Sequence, residues 1–202
     1  MEIKKESNMS SRKIEINRKT RETDISLILD IEGGEIQIST GIPFFDHLLT
    51  ALTFHGNIGI NLEAKGDIDV DPHHLIEDTG LVLGEALKKT INTYGAINRF
   101  AHTVIPMDEA LSEVTLDVCG RPYLLYKANF PQEYSGLFQM ALLKEFFAAL
   151  SNAAGMALHA DCRYGDNSHH MAESLFKALG KAIQQAFKLL KSDKILSTKG
   201  KL

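Results

Sequence analysis

His73-His74-Leu75-Ile76-Glu77 returns 96 positions later as His169-His170-Met171-Ala172-Glu173. On a helix turning about 100° per residue, the first histidine and the glutamate four positions on share a face, while the second histidine points about a quarter-turn away. One pattern therefore offers donors in two directions. Imidazole and carboxylate together suit Mn, Fe, Zn or Co, and the lack of cysteine in both copies argues against a thiolate-rich structural zinc site. Similar helices follow each copy. Asp78-Thr79-Gly80-Leu81-Val82-Leu83-Gly84 and Ser174-Leu175-Phe176-Lys177-Ala178-Leu179-Gly180 keep Gly84 and Gly180 in register at the same offset. The chain contains an internal repeat, and a repeat predicts a duplicated fold.

Working outward, the first half (12–95) reads as strand-like from Arg12, with Ile25, Leu27, Leu29 and Ile31 alternating until Gly33-Gly34 offers a turn into Glu35 to Ser39. A hairpin region is expected there. Gly41-Ile42-Pro43 breaks it, Phe44 to Phe54 has helical spacing, and His55-Gly56 closes that helix. Asn57 to Lys65 reads as a strand and His73 to about Asn92 as a long helix. The second half (96–190) repeats the order, with strands at Phe100 to Pro106, around Val114 to Val118 and at Tyr123 to Asn129. A helix from Leu137 to Ala154, a strand from Met156 to Asp161 and a helix from Ser168 to about Leu190 complete it. The expected architecture is α+β, an internally duplicated sheet-and-helix sandwich. Residues 1–11 read as a flexible arm and 191–202 as a C-terminal tail.

The 202 residues, 44% hydrophobic, suffice for one core or two small fused ones. A net charge of −4 gives no global reason to expect nucleic acid or an anionic membrane as partner. No apolar run reaches a membrane span and the start is polar, so a cytoplasmic protein is expected. Cys119 and Cys162 sit in no motif and read as reduced core residues.

The repeat also extends the donor set. His47 lies on the first helix of its half, and the matching place in the second half holds Glu145. Two pseudo-symmetric sets emerge: His47, His73, His74, Glu77 and Glu145, His169, His170, Glu173. The plain alternative is that His47 and Glu145 sit on exposed helix faces.

Six segments in one order carry a resemblance: Gly41-Ile-Pro-Phe-Phe-Asp-His47, Asp71-Pro-His-His-Leu-Ile-Glu-Asp-Thr-Gly80, Pro106-Met-Asp-Glu-Ala-Leu111, Gly120-Arg-Pro122, Asn167-Ser-His-His-Met-Ala-Glu173 and Ser197-Thr-Lys-Gly200. Together they resemble the imidazoleglycerol-phosphate dehydratase family, from about Arg12 to Leu202. The resemblance implies a fold related to the second domain of ribosomal protein S5. It implies dehydration of imidazole glycerol phosphate to imidazole acetol phosphate in histidine biosynthesis, with two Mn²⁺ ions per site and no organic cofactor. It further implies a homo-oligomer of 24 subunits whose metal ligands come from more than one subunit. In the family mechanism the substrate ring is held as imidazolate between two metals, hydroxide leaves to give a diazafulvene-like intermediate, and loss of a carbon proton gives an enol that ketonises.

Residue by residue, the resemblance makes Glu22 the leading acid/base candidate near the substrate diol, alongside His74, Glu77 and Glu173 at the metals. Which carboxylate is the base stays open. The repeat pairs Glu22 with Glu109, beside Asp108, which resembles the family's substrate-orienting aspartate. His55 resembles a substrate contact, or it is a helix-terminal residue satisfied by carbonyls. Arg99, Arg121, Lys177, Ser197 and Lys199 match phosphate-binding positions, guanidinium forks and ammonium groups being suited to that charge. The tail carrying Ser197 and Lys199 is expected to close over the phosphate.

The chain departs from the family at Ala51, where a glutamine is usual, at Glu145, where many relatives have histidine, and at Ala141 and Lys144, where acidic residues are usual. Three readings follow: an active dehydratase, a catalytically impaired metal-binding assembly protein derived from it, or a metal-assisted hydrolase acting on another substrate.

Overall fold

The computed structural model describes residues 12–190. The first half runs β1 (Lys13–Lys19), β2 (Thr23–Asp30), β3 (Ile36–Ser39), α1 (Pro43–Gly56), β4 (Gly59–Gly66) and α2 (His73–Tyr94). The second runs β5 (Phe100–Met107), β6 (Ala110–Val118), β7 (Tyr123–Lys127), β8 (Tyr134–Ser135), β9 (Phe138–Gln139), α3 (Leu142–Ala154), β10 (Met156–Tyr164) and α4 (Ser168–Ala186). Apart from the small β8–β9 hairpin, the halves match element for element. This is the duplicated α+β sandwich that the repeat predicts.

Three local expectations change. β3 does not pair with β2: the sheet order is β1-β2-β4-β3, with β4 antiparallel to β2 and parallel to β3. The longer β4 buries Ile60, Leu62 and Ala64 and takes the interior place, while the four-residue, half-exposed β3 is left at the edge. The second sheet repeats this as β5-β6-β10-β7, with β7 parallel to β10. The helix expected from Leu137 begins instead at Leu142, because Gly136 at φ +61° turns the chain between β8 and β9. And α1 is closed by Asn57 in the left-handed region, φ +49°, one residue after His55-Gly56.

The helices meet across the halves. α1 packs on α4 and α2 on α3, while α2 covers β1 and β2 and α4 covers β5 and β6. Phe45, Phe146, Phe147 and Phe176 are fully buried there, with ring centroids 5.3–5.7 Å apart in successive contacts. The repeated glycines make these crossings close. A Cβ on Gly84 would lie 2.8 Å from the Leu150 carbonyl oxygen of α3, and one on Gly180 would strike the Leu52 carbonyl oxygen of α1. Only a residue without a side chain fits either place.

Both motif helices start from a fixed N-terminus. Asp71 Oδ1 accepts the His73 N–H at 2.8 Å, and Asn167 Oδ1 accepts the His169 N–H at 2.9 Å, each acceptor two residues before its histidine. Gln132 also grips the start of α4, its Oε1 accepting the Ser168 N–H at 2.6 Å. Cys119 and Cys162 are both buried and free. No helix among the described residues is long and apolar enough to cross a membrane.

On the outer face of the second sheet, Glu113 sits 2.8 Å from His102 Nε2 and bonds the Arg163 guanidinium. The His102 hydrogen bond, opposed by burial and aided by Arg163, holds the Glu113 carboxyl below its usual range. A depressed carboxylate stabilises the fold above its unfolded value, and that stability is lost as pH falls through the folded value. Glu113→Gln is expected to cost about 1 kcal/mol or less of stability at pH 7, as for other exposed pairs, and so to lower the melting temperature slightly. The difference from wild type should close in acid, below about pH 4, in paired thermal melts.

Candidate metal centre and its surroundings

The α1–α4 crossing brings His47 to the second motif. His47 Nε2 lies 3.1 Å from Glu173 Oε2, and His169 Nε2 lies 3.3 Å from the same oxygen. The three donor atoms fall within 4.8 Å of one another, and among the described residues this is the one such group that can hold a metal ion. Bonds of about 2.0–2.2 Å from imidazole and carboxylate place neighbouring donors roughly 3–3.5 Å apart, so the group fits a metal ion. The grouping expected from the repeat is corrected here. His47 joins His169 and Glu173 of the other half instead of His73, because the helices pair between halves.

Each motif helix shows the divided directions expected of it. His73 Nε2 is 3.5 Å from Glu77 Oε2, one turn on along the same face, as His169 is from Glu173. The ring of His74 stands at 87° to that of His73, and the ring of His170 at 82° to that of His169. Glu145 is half-buried in the first turn of α3. Its carboxylate does not join a three-donor group within the described residues.

Glu173 is the most enclosed of these carboxylates, at 11% side-chain exposure. Burial pushes its carboxyl up, but the Lys177 ammonium, 2.8 Å from Oε1, and His47 pull it below the usual range. Glu173 is thus held as a carboxylate with one oxygen on Lys177 and the other toward the two imidazoles. His55 lies near this cluster. Partial burial lowers its value, and the charges of Lys177 and Lys181 lower it further against the pull of Glu173. These influences favour the neutral ring.

The second histidines find carboxylates elsewhere. His74 Nδ1 lies 3.1 and 3.3 Å from the two oxygens of Asp67, with Glu22 further off at 4.0 Å. His170 Nδ1 lies 2.8 Å from Glu109 Oε2, and Asp108 is 3.9 Å from its Nε2. These partners raise both imidazoles, the Asp67 and Glu109 hydrogen bonds being the largest causes. Glu109 is held down to about 2 by the His170 bond and by backbone N–H groups, among them those of Asn167 and Asp166.

Sequence reasoning missed Asp67. It is one of three aspartates at alternate positions in Asp67-Ile-Asp69-Val-Asp71, a pattern that does not say which of them turns inward. It also missed Asp78, buried beside Glu77, which accepts from Thr23 Oγ1 at 2.5 Å and pairs with Arg18 at 3.0 Å. That network fastens the strand start bearing Glu22 to α2.

The phosphate candidates are spread out. Arg99, at φ +73°, grips Asp117 through Nε at 2.7 Å and Nη2 at 3.3 Å. Its N–H bonds the Ala186 carbonyl at the C-terminal end of α4. Arg121 is exposed in the turn before β7. Ser197 and Lys199, like the arm and the tail, lie outside the described residues. Ala51 stands one turn beyond His47 on α1, half-buried.

Beside the centre runs an apolar groove of about 860 Å³ that His47 and His169 help to line. Leu137 at the β8–β9 tip and Val70 border it at 102% and 79% exposure. Phe44 packs edge-on against His169 with ring centroids 5.1 Å apart.

Residues 40–183 match the family model for imidazoleglycerol-phosphate dehydratase. A relative of that name from Desulfotalea psychrophila is 46% identical over 191 residues, 94% of this chain and 96% of its own. Another, from Geobacter metallireducens, is 45% identical over 194 residues, 95% and 100% of the two chains. The fold matches the crystal structure of IGPD from Pyrococcus furiosus with a TM-score of 0.82 at 36% identity, covering 93% of this chain and 100% of that one. For the Staphylococcus aureus dehydratase the TM-score is 0.80 at 34% identity, over 88% and 99%. Matched in sequence over most of its length and in fold, the chain belongs to the imidazoleglycerol-phosphate dehydratase family.

Proposed function

We infer that this chain is a hydro-lyase that dehydrates imidazole glycerol phosphate to imidazole acetol phosphate in histidine biosynthesis, with Mn²⁺ as its metal, two ions per site. The observation that carries this reading is the His47–His169–Glu173 group, assembled across a helix crossing in a chain of this family. The ligands are assigned as His47, His73, His74, Glu77, Glu145, His169, His170 and Glu173, an imidazole and carboxylate set that suits Mn²⁺. When bound, the ions supply Lewis acidity toward the substrate ring.

The chain's own groups do the rest. Glu22 sits exposed just before β2, beside the His74 end of α2, and exchanges protons with the diol carbons. Asp108 orients the diol, and His55 lines its approach. Arg99, Arg121, Lys177 and the tail residues Ser197 and Lys199 take the phosphate.

Geometry supports sites divided between copies in a large homo-oligomer, read as 24 subunits. Arg99 bonds the far end of α4, which at 1.5 Å per residue is about 25 Å from His169. The substrate is only about 10 Å long by its covalent bond lengths. That separation supports a division in which Arg99 and the His169 centre of one chain serve different substrate molecules. The apolar groove with the protruding Leu137 gives a second copy a surface to cover, directly beside His47 and His169.

Purified protein given imidazole glycerol phosphate and Mn²⁺ should form the ketone with its phosphate retained, followed by product mass and phosphate assay. Phosphate release with the diol intact would replace the dehydratase by a hydrolase. Mixed particles reassembled from inactive His74→Ala and Glu173→Ala chains should regain activity, since sites shared between copies then include some with neither defect; no recovery would mean that each chain holds its own site.

A further inference from the structure

In both halves the second motif histidine makes the same contact through the same ring atom. His74 Nδ1 faces Asp67 at 3.1 and 3.3 Å, and His170 Nδ1 faces Glu109 at 2.8 Å. The two carboxylates are not repeat equivalents: Asp67 follows β4, whereas Glu109 stands between β5 and β6. Glu109 is matched by Glu22, which stays 4.0 Å from His74 Nδ1, outside hydrogen-bond distance. Asp67 and Glu22 are neighbours at adjacent strand ends, the Asp67 N–H donating to the Glu22 carbonyl at 3.1 Å. Two acidic side chains thus approach one imidazole, and Asp67 takes it.

We propose that Asp67 and Glu109 are positioning residues that hold the proton on Nδ1 of His74 and His170 and turn each Nε2 outward as a metal donor, and that Asp67 thereby leaves Glu22 free for proton transfer. The proposal rests on the metal-dependent reading given above. A carboxylate only accepts, so the ring nitrogen that faces it carries the proton and the other keeps its lone pair. Carboxylate partners of this kind fix ring orientation and raise ligand basicity. Around His170 Nε2 stand the Asn167 amide at 3.5 Å, a donor directed at a lone pair, and Asp108 at 3.9 Å, which is 75% exposed and free to swing away.

Glu109 cannot exchange its roles. Its Oε1 accepts the N–H groups of Asp166 at 3.2 Å and Asn167 at 2.9 Å, which leaves Oε2 for His170. In Glu109→Gln the amide oxygen stays on those two donors, because a flip would set its NH₂ against them. The NH₂ then faces Nδ1, can only donate, and drives the ring proton to Nε2. Asp67→Asn is different, since its side chain is not so committed and can present oxygen to His74.

The test is the Mn²⁺ dissociation constant of the full chain, read from the electron paramagnetic resonance signal of free Mn²⁺, with thermal melts and particle size alongside. Glu109→Gln and Asp67→Ala should each weaken Mn²⁺ binding about 10- to 100-fold with the melt unchanged, while Asp67→Asn stays within about threefold of wild type. Glu22→Gln should keep wild-type Mn²⁺ affinity and lose kcat. Wild-type affinity in Glu109→Gln and Asp67→Ala, beside a wild type that binds Mn²⁺ and turns over, would overturn the positioning role alone. Equal losses in Asp67→Asn and Asp67→Ala, or weakened metal binding in Glu22→Gln, would do the same. A wild type that neither binds Mn²⁺ nor dehydrates the substrate would remove the metal-dependent reading and this proposal together.

Discussion

Glu173→Ala is expected to lower kcat/KM for dehydration by about 10³-fold or more, with the chain still folded. Glu173 is the carboxylate that His47 and His169 share, and its removal takes the only anion from the three-donor group. Lewis-acid stabilisation by a correctly held metal amounts to several kcal/mol, and each 1.4 kcal/mol or so is a factor of ten in rate. The fold should survive because α4 is held by its apolar face, with Leu175, Phe176 and Leu179 fully buried, and by the Asn167 and Gln132 contacts at its start. Lys177 loses its partner but keeps access to water at 19% exposure. Steady-state kinetics with a circular dichroism melt separate the two effects. A folded Glu173→Ala protein with more than a tenth of wild-type activity would contradict the assigned centre.

Gly180→Ala should carry the largest stability loss of the glycine-to-alanine changes among the described residues, because its new Cβ makes the closest contact. The new Cβ meets backbone, not a flexible side chain: the Leu52 carbonyl oxygen in direct collision, the Leu52 carbonyl carbon at 2.9 Å and its Cα at 3.1 Å. Neither helix can yield locally, so α1 and α4 must separate, at a cost of about 3 kcal/mol or more. In a chain of this size that corresponds to a melting temperature lower by roughly 6–12 °C. The same separation reaches the metal centre, since His47 rides on α1 and His169 and Glu173 ride on α4, so Mn²⁺ affinity should fall with stability. Gly95→Ala is the control, because a Cβ there meets nothing within 4 Å, although its φ of +93° adds local strain. Equal melting temperatures for Gly180→Ala and wild type would mean that the crossing is looser than the structure shows.

How much of this was legible in the sequence follows from what kind of information each feature needs. The duplicated α+β sandwich was readable because the His-His-x-x-Glu pattern, the helix behind it and the Gly84/Gly180 register all recur at one spacing. The split directions of the two histidines in each motif were readable from helical geometry alone. Strand partners were not. Alternation reveals that β2, β3 and β4 each have an apolar side, but two neighbouring strands can pair directly or admit a third between them, and nothing in Gly33-Gly34 decides which.

The same limit hid the grouping of the candidate metal donors. Order along the chain places His47 with His73, whereas packing places it with His169, and the residue that announces this is Gly180, whose missing side chain marks a close helix crossing. Asp67 was hidden for a different reason. Three alternate aspartates are equivalent in sequence, and only the fold shows that Asp71 caps α2 while Asp67 reaches His74. Leu137 misled because an apolar residue before a helix normally reads as part of its buried face, and here Gly136 puts it at a hairpin tip.

Dehydration by this chain should depend on metal held by these histidines and carboxylates. The most direct measurement is turnover of imidazole glycerol phosphate by metal-stripped protein before and after Mn²⁺ is restored, following the ketone product. A dependence on metal predicts no turnover after stripping and recovery in step with Mn²⁺ occupancy. Undiminished turnover in the stripped protein, or no turnover despite stoichiometric Mn²⁺ and an intact fold, would contradict it, and the second outcome would point to Ala51 and Glu145 as the substitutions to revert first.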